Sequence, residues 1–163
     1  GGRNFYQKQP KEAFPVCDFG YIDTANKTEV RGEGGKTGIF YLALGDAGLY
    51  KLCYDTKTEE IHVKRLTDTG DACYRMGLGV IGEDRDYLTE EKAIYFCGRL
   101  EGEYGFYRTF DEGKSYERLN QDNQMYGEIN SIDGDKRKFG RFFLATGSRG
   151  VLYGEMKRQS RKI

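Results

Sequence analysis

Tryptophan is missing from this 163-residue chain, proline occurs twice, and histidine once, at His62. The four cysteines, Cys17, Cys53, Cys73 and Cys97, are scattered and form no CxxC pair. One histidine and dispersed thiols cannot supply the clustered ligands of a zinc site, so neither a metal nor another cofactor is expected. The cysteines read as small buried hydrophobes rather than as disulfides or nucleophiles. Neither sign of charge is in excess: Lys+Arg and Asp+Glu number 26 each. A nucleic-acid partner calls for a basic surplus that neutralises phosphates, so none is expected. No apolar run is long enough to cross a bilayer, and no charged-then-apolar leader opens the chain. Membrane insertion and a signal peptide within these residues are therefore not expected.

What the chain does hold is glycine, 23 residues of it, with 13 Tyr and 10 Phe. The mean hydropathy of -0.75 is polar, yet an aromatic share of 14% argues against disorder. Glycine alternating with Tyr and Phe in short runs predicts strands joined by tight turns.

Three stretches repeat one pattern. Gly38–Gly45 is an apolar run followed by Gly48-Leu49-Tyr50-Lys51. Ala93–Gly98 is followed by Gly105-Phe106-Tyr107-Arg108, and Arg141–Gly147 by Gly150-Val151-Leu152-Tyr153. The glycines that open the second strands stand 57 and 45 residues apart. Four-stranded propeller blades repeat at roughly 40–50 residues, and the charged stretch Glu83–Lys92 can hold an insertion in the longer interval. Arg75–Gly82 carries glycine at alternate positions, which suits the crowded inner edge of a blade. Ile129–Gly134 is its later counterpart, and Cys17–Ile22 its earlier one.

The predicted fold is all-β: about three blades of four-stranded antiparallel sheet, over residues 15–156. Residues 1–14 are assigned to the end of a preceding blade or to an expression remnant, and 157–163 to a basic tail. The last blade has three strands. Closed propellers have about 4–8 blades, and an open arc leaves strand edges unpaired. The chain is therefore expected to need further blades, from its own polypeptide or a partner chain.

Thr109-Phe110-Asp111-Glu112-Gly113-Lys114-Ser115-Tyr116 fits the Asp-box pattern. In that turn the Asp accepts backbone N–H groups, the Gly takes positive φ, and the aromatic packs under the hairpin. Thr109, Asp111, Gly113, Ser115 and Tyr116 are thus structural, and Asp111 is not expected to be catalytic. Tyr54–Thr58 is at best a degraded copy.

Tyr104–Glu155 carries a family resemblance. Gly105–Arg108 with the Asp box, Arg118-Leu119-Asn120, Tyr126-Gly127, Phe139-Gly140-Arg141 and Gly147–Glu155 follow in the order seen at the close of glycoside hydrolase family 74 enzymes. Asp71–Gly79 is similar to that family's small-residue inner strand. Two positions depart: Gln124-Met125 replaces a His-Gln pair, and Glu155 replaces Asp. The resemblance implies a segment of a seven-bladed propeller in a secreted or cell-surface enzyme. The implied activity is inverting hydrolysis of β-1,4-glucan linkages in xyloglucan, which needs two carboxyl groups about 6.5–9.5 Å apart. No position here matches either catalytic motif of the family, so no catalytic residue is assigned.

Two loops lead into inner strands, Asp71–Arg75 and Gln124–Glu128. Tyrosine rings stack on pyranose rings, and charged groups bond hydroxyls. Tyr74, Arg75 and Tyr126 are the candidate substrate-binding residues. Packing of both tyrosines between blades is the other reading of them. Asp18 and Asp71 have no paired acid and read as turn residues. A non-catalytic Asp-box propeller that binds protein or glycan is the alternative function.

Overall fold

The structure, a computed structural model, describes residues 23–24, 29–30, 37–55, 57–85, 87 and 91–156. The expectations for residues 1–14, for the Cys17–Ile22 strand with Asp18, and for the 157–163 tail lie outside the described residues. Twelve strands and no helix occur among those described. They form three antiparallel sheets. The first contains β1 (Asp23–Thr24), β2 (Glu29–Val30), β3 (Thr37–Ala43), β4 (Leu49–Asp55) and β5 (Glu60–Arg65). The second runs in order β6 (Ala72–Gly79), β7 (Ala93–Leu100), β8 (Glu103–Thr109), β9 (Glu117–Arg118). The third runs β10 (Ile129–Gly134), β11 (Phe142–Thr146), β12 (Val151–Gly154).

In the first sheet, β1 pairs with Leu42–Ala43 and β2 with Gly38–Ile39, both beside the same strand β3. Two short strands thus share one position, and the sheet has the four positions of a blade. The Arg75–Gly79 glycine run lies in β6, as the alternation suggests, and Glu83–Lys92 lies between β6 and β7.

The described residues form two compact units. One holds the residues through Tyr74 together with the hairpin tip Gly98–Tyr104, and the other holds Arg75–Cys97 and the residues from Gly105 onward.

The first unit is built on strand alternation. Residues two apart point to one face, so Leu42, Tyr50, Leu52, Ile61 and Val63 gather with Leu44 in one buried cluster, flanked by Phe40 and Tyr54. Their register runs Leu42↔Tyr50 and Phe40↔Leu52↔Val63. The β3–β4 turn is tied to the start of β6: Gly45 N donates to the Cys73 carbonyl at 2.9 Å, and Cys73 N to the Gly45 carbonyl at 2.8 Å. Between β4 and β5, Asp55 Oδ1 accepts the amides of Lys57 at 2.8 Å and Thr58 at 3.4 Å.

In the second unit, glycine sets how closely β6 lies on β10. A Cβ on Gly77 would collide with the Ile132 carbonyl and with Asp133 Cα, and one on Gly79 would press on Tyr95 and Gly134. Backbone therefore meets backbone. Leu78 N donates to Asp133 Oδ1 at 2.9 Å, and Val80 N to the Asp135 carbonyl at 2.9 Å. Lys136 Nζ spans both strands, donating to the Leu78 carbonyl, to Asp133 Oδ1 at 2.6 Å and to the Gly134 carbonyl at 2.9 Å. Aromatic rings fill the layers around this contact. Tyr95 stacks on Phe142 at 5.7 Å, and Phe96 on Tyr107 at 5.5 Å.

Candidate functional site

Tyr74, Arg75 and Tyr126 divide between the two units. Tyr74 belongs to the first, Arg75 and Tyr126 to the second.

Tyr74 is half-buried near the start of β6. Its hydroxyl donates to Asp46 Oδ1 at 2.9 Å. Its ring lies 6.3 Å from that of Tyr104, tilted by 33°. Arg99 approaches the same Asp46 oxygen at 3.5 Å. Four side chains from three segments therefore meet: Asp46 from the β3–β4 turn, Tyr74 from β6, and Arg99 and Tyr104 from either side of the β7–β8 turn. Sequence reasoning passed over Asp46 and Arg99, which sit in no motif, and took Tyr104 only as the first residue of the family-resembling stretch. The usable signal was the repeat itself, which puts Asp46 and Glu101-Gly102 in equivalent hairpin turns.

That second turn is two residues long. Glu101 and Gly102 both take positive φ, 51° and 84°, the arrangement that matches strand twist in a tight hairpin. Asp71 holds it in place. Its carboxylate, 7% exposed, accepts Glu101 N at 2.8 Å and Asp68 N at 3.1 Å. Asp71 is thus engaged by turns on both sides.

Arg75 reaches across to β10, its Nε donating to the Asn130 carbonyl at 3.2 Å. Tyr126 is half-buried and has a φ of 55°, which costs a bulky L-residue roughly 1–2 kcal/mol. Its ring lies parallel to that of Phe106, with 6.4 Å between centroids and 6° between planes. The two residues before it have structural duties. Gln124 Oε1 accepts Gln121 N at 3.0 Å, and Met125 Sδ lies 3.4 Å from Asn120 Nδ2. Asn120 Oδ1 in turn accepts Phe106 N at 2.8 Å. The Gln124-Met125 departure therefore has local partners: Gln124 holds Gln121, and Met125 meets the Asn120 that holds Phe106.

The Asp111 turn joins β8 to β9. Asp111 Oδ1 accepts Ser115 N at 2.9 Å and the Thr109 hydroxyl at 2.8 Å, and Oδ2 accepts the Ser115 hydroxyl at 2.6 Å. Thr109 Oγ1 accepts Gly113 N at 2.9 Å. Glu112 and Gly113 both take positive φ, 56° and 83°. Tyr116 meets Phe96 edge-on at 5.7 Å. The Ser115 hydroxyl and amide, with Thr109, hold the Asp111 carboxyl down at about 2. A carboxyl that acidic carries no proton to donate near neutral pH.

No family model matches the chain. Two solved structures superpose well. The GH74 xyloglucanase from Xanthomonas campestris gives a TM-score of 0.60 at 24% identity, over 89% of this chain and 18% of its own. The Niastella koreensis GH74 enzyme gives 0.62 at 22%, over 85% and 19%. The chain has the β-propeller fold of those structures. Xyloglucanase Xgh74A of Acetivibrio thermocellus is 29% identical over 94% of this chain, and the oligoxyloglucan-reducing end-specific xyloglucanase of Emericella nidulans 31% identical over 96%. Along nearly its whole length the chain is thus similar to xyloglucanases. It spans about a fifth of the length of these relatives, 18% in each case.

Proposed function

We propose that this chain forms C-terminal propeller blades of a xyloglucan-specific β-1,4-glucan hydrolase of the inverting type, secreted or held at the cell surface. The blades complete the fold and supply part of the sugar cleft through Tyr74, Arg75 and Tyr126. The catalytic Asp pair comes from the remaining blades, carried by the same polypeptide or a partner chain. The observation behind this reading is the continuous match to xyloglucanases over 94–96% of the chain. The carboxylates of Asp71 and Asp111 agree with it, since Asp71 is taken up by amides of two turns and Asp111 by its own turn.

The test compares the complete reading frame with the 163-residue chain. The complete protein is expected to cut xyloglucan with inversion at the anomeric carbon, and the chain alone to cut nothing. Hydrolysis by the chain alone sinks the proposal. So does a complete protein that binds xyloglucan without cutting it, which is the outcome for a non-catalytic glycan-binding propeller. Tyr126→Ala in the complete protein is expected to raise KM. Unchanged kinetics with an intact fold removes Tyr126 from the cleft.

A further inference from the structure

The strongest unassigned constellation is the group around Tyr104 in the first unit. Tyr104 is an exposed large aromatic, at 37%. Beside it the half-buried Tyr74 ring opens at a 33° tilt, so the pair forms a shallow aromatic floor. Asp46 and Arg99 stand at its margin, with side chains 79% and 42% exposed. We propose that Tyr104, Tyr74, Asp46 and Arg99 form a binding platform for one sugar unit of a neutral β-linked glycan, with Tyr104 as its stacking residue. This rests on the reading of the chain as part of a xyloglucan hydrolase, and it adds three residues and a defined surface to it.

The chemistry fits a pyranose. A sugar ring presents an apolar face of C–H groups and a rim of hydroxyls. The apolar face needs an aromatic surface, and the hydroxyls need an acceptor and a donor at the edge. Asp46 is an acceptor and Arg99 a donor. Their mutual contact at 3.5 Å is an exposed ion pair, which contributes little by itself, so exchanging it for bonds to hydroxyls costs little. Tyr74 ties the floor to the rim through its 2.9 Å bond to Asp46.

The platform is held before any ligand arrives. The amide of Glu101 is fixed by Asp71, and the β3–β4 turn carrying Asp46 is fixed by the two Gly45–Cys73 bonds. Pre-formed geometry of this kind reduces the ordering cost of binding. Charge selects among glycans. Besides the Asp46–Arg99 pair, the β7–β8 hairpin carries Glu101 and Glu103, both exposed. That surplus of carboxylates disfavours uronate polymers and leaves neutral chains. The apolar exposure is confined to two rings among charged groups, which is too little for the core of a protein interface.

Titration of the full chain with xyloglucan oligosaccharides, with polygalacturonate as the acidic comparison, tests the platform. Tyr104→Ala is expected to weaken xyloglucan binding about tenfold, the usual cost of truncating an anchoring aromatic. Arg99→Gln is expected to weaken it less, and Tyr153→Ala on β12 not at all. Urea midpoints read the fold of each variant, and Arg99→Gln serves as the second probe where Tyr104→Ala unfolds. Equal affinity of wild type and Tyr104→Ala at matched midpoints overturns the platform. Absence of binding by the wild-type chain, or tighter binding of polygalacturonate, overturns it too. Hydrolysis by the complete enzyme is the separate readout. Retained platform binding without hydrolysis refutes the catalytic reading alone, and hydrolysis with unaltered Tyr104→Ala binding refutes the platform alone.

Discussion

Asp111 owes its low pKa to bonds from the Ser115 hydroxyl and amide and from Thr109. A folded value of about 2 against the ordinary 3.8 means that folding favours the ionised form. The associated stability is complete above the ordinary value and is lost as pH falls from there through about 2. Asp111→Asn is therefore expected to lower Tm by a constant margin at neutral pH, and the margin should shrink in acid. A thermal series from pH 7 to pH 2 checks this, and a margin independent of pH contradicts it. Tyr95 runs the opposite way. Burial pushes its phenol up to about 12, with the Arg108 charge opposing. Its stability contribution is intact below 10 and is lost as pH rises toward 12. The hydroxyl is enclosed without a well-formed hydrogen bond, so Tyr95→Phe should cost little at neutral pH. It should also outlast wild type in denaturation at pH 11. At this scale the sequence was partly legible. The Asp box announced which residues contact one another, because all its bonds span four residues or fewer. It did not announce that Glu112, not only Gly113, takes positive φ.

Strands and hairpins were the most legible elements. Apolar runs followed by a glycine-led second strand marked β3, β4, β7, β8 and β11, and continuous runs belong to strands covered on both faces, as β7 is over Ala93–Gly98. The glycines of β6 also had a readable purpose, now given a partner in β10. Gly77→Ala is expected to destabilise by about 2 kcal/mol, within the range for overpacking a tight contact. The obstacle is the backbone of Ile132 and Asp133, which cannot rotate away. Urea unfolding checks this, and a change below about 0.5 kcal/mol would mean the strands separate freely, at the level of an ordinary surface substitution. The candidate loops were less legible. Tyr74 and Tyr126 look alike in sequence, each an aromatic before an inner strand. One is tethered by its hydroxyl to Asp46 and the other by its ring to Phe106. Those partners lie 28 and 20 residues away, and local pattern carries no information about them.

At the scale of the whole chain, the third sheet leaves one face uncovered among the described residues. Phe143, Val151 and Tyr153 are exposed at 37%, 71% and 68%. Phe143 and Tyr153 are direct cross-strand partners. Within its sheet, β12 pairs with β11 alone. An apolar face beside an unpaired strand edge promotes association. The 163-residue chain is expected to rise in mean mass with concentration, and Val151→Lys with Tyr153→Lys to reverse the trend. Light scattering across a dilution series is the check, and a mass constant at the monomer value for wild type refutes it. The number of blades was legible from three glycine-led hairpins. The division into two units was not, since it cuts through the second sheet and gives the β7–β8 tip to the first unit.

The bare glycine contact between β6 and β10 has an evolutionary corollary. When neighbouring repeats meet through side chains, each substitution on one must be answered on the other, and the copies drift together. Here the pitch between two repeats is written in main chain, at Gly77 and Gly79 against Asp133 and Gly134. Apart from the Asp133 and Lys136 clasps and the Tyr95 ring beside it, such a joint asks little of the turns of either repeat. Copies fastened this way can diverge in their turns, one acquiring an Asp-stapled hairpin and another losing it, without losing their alignment.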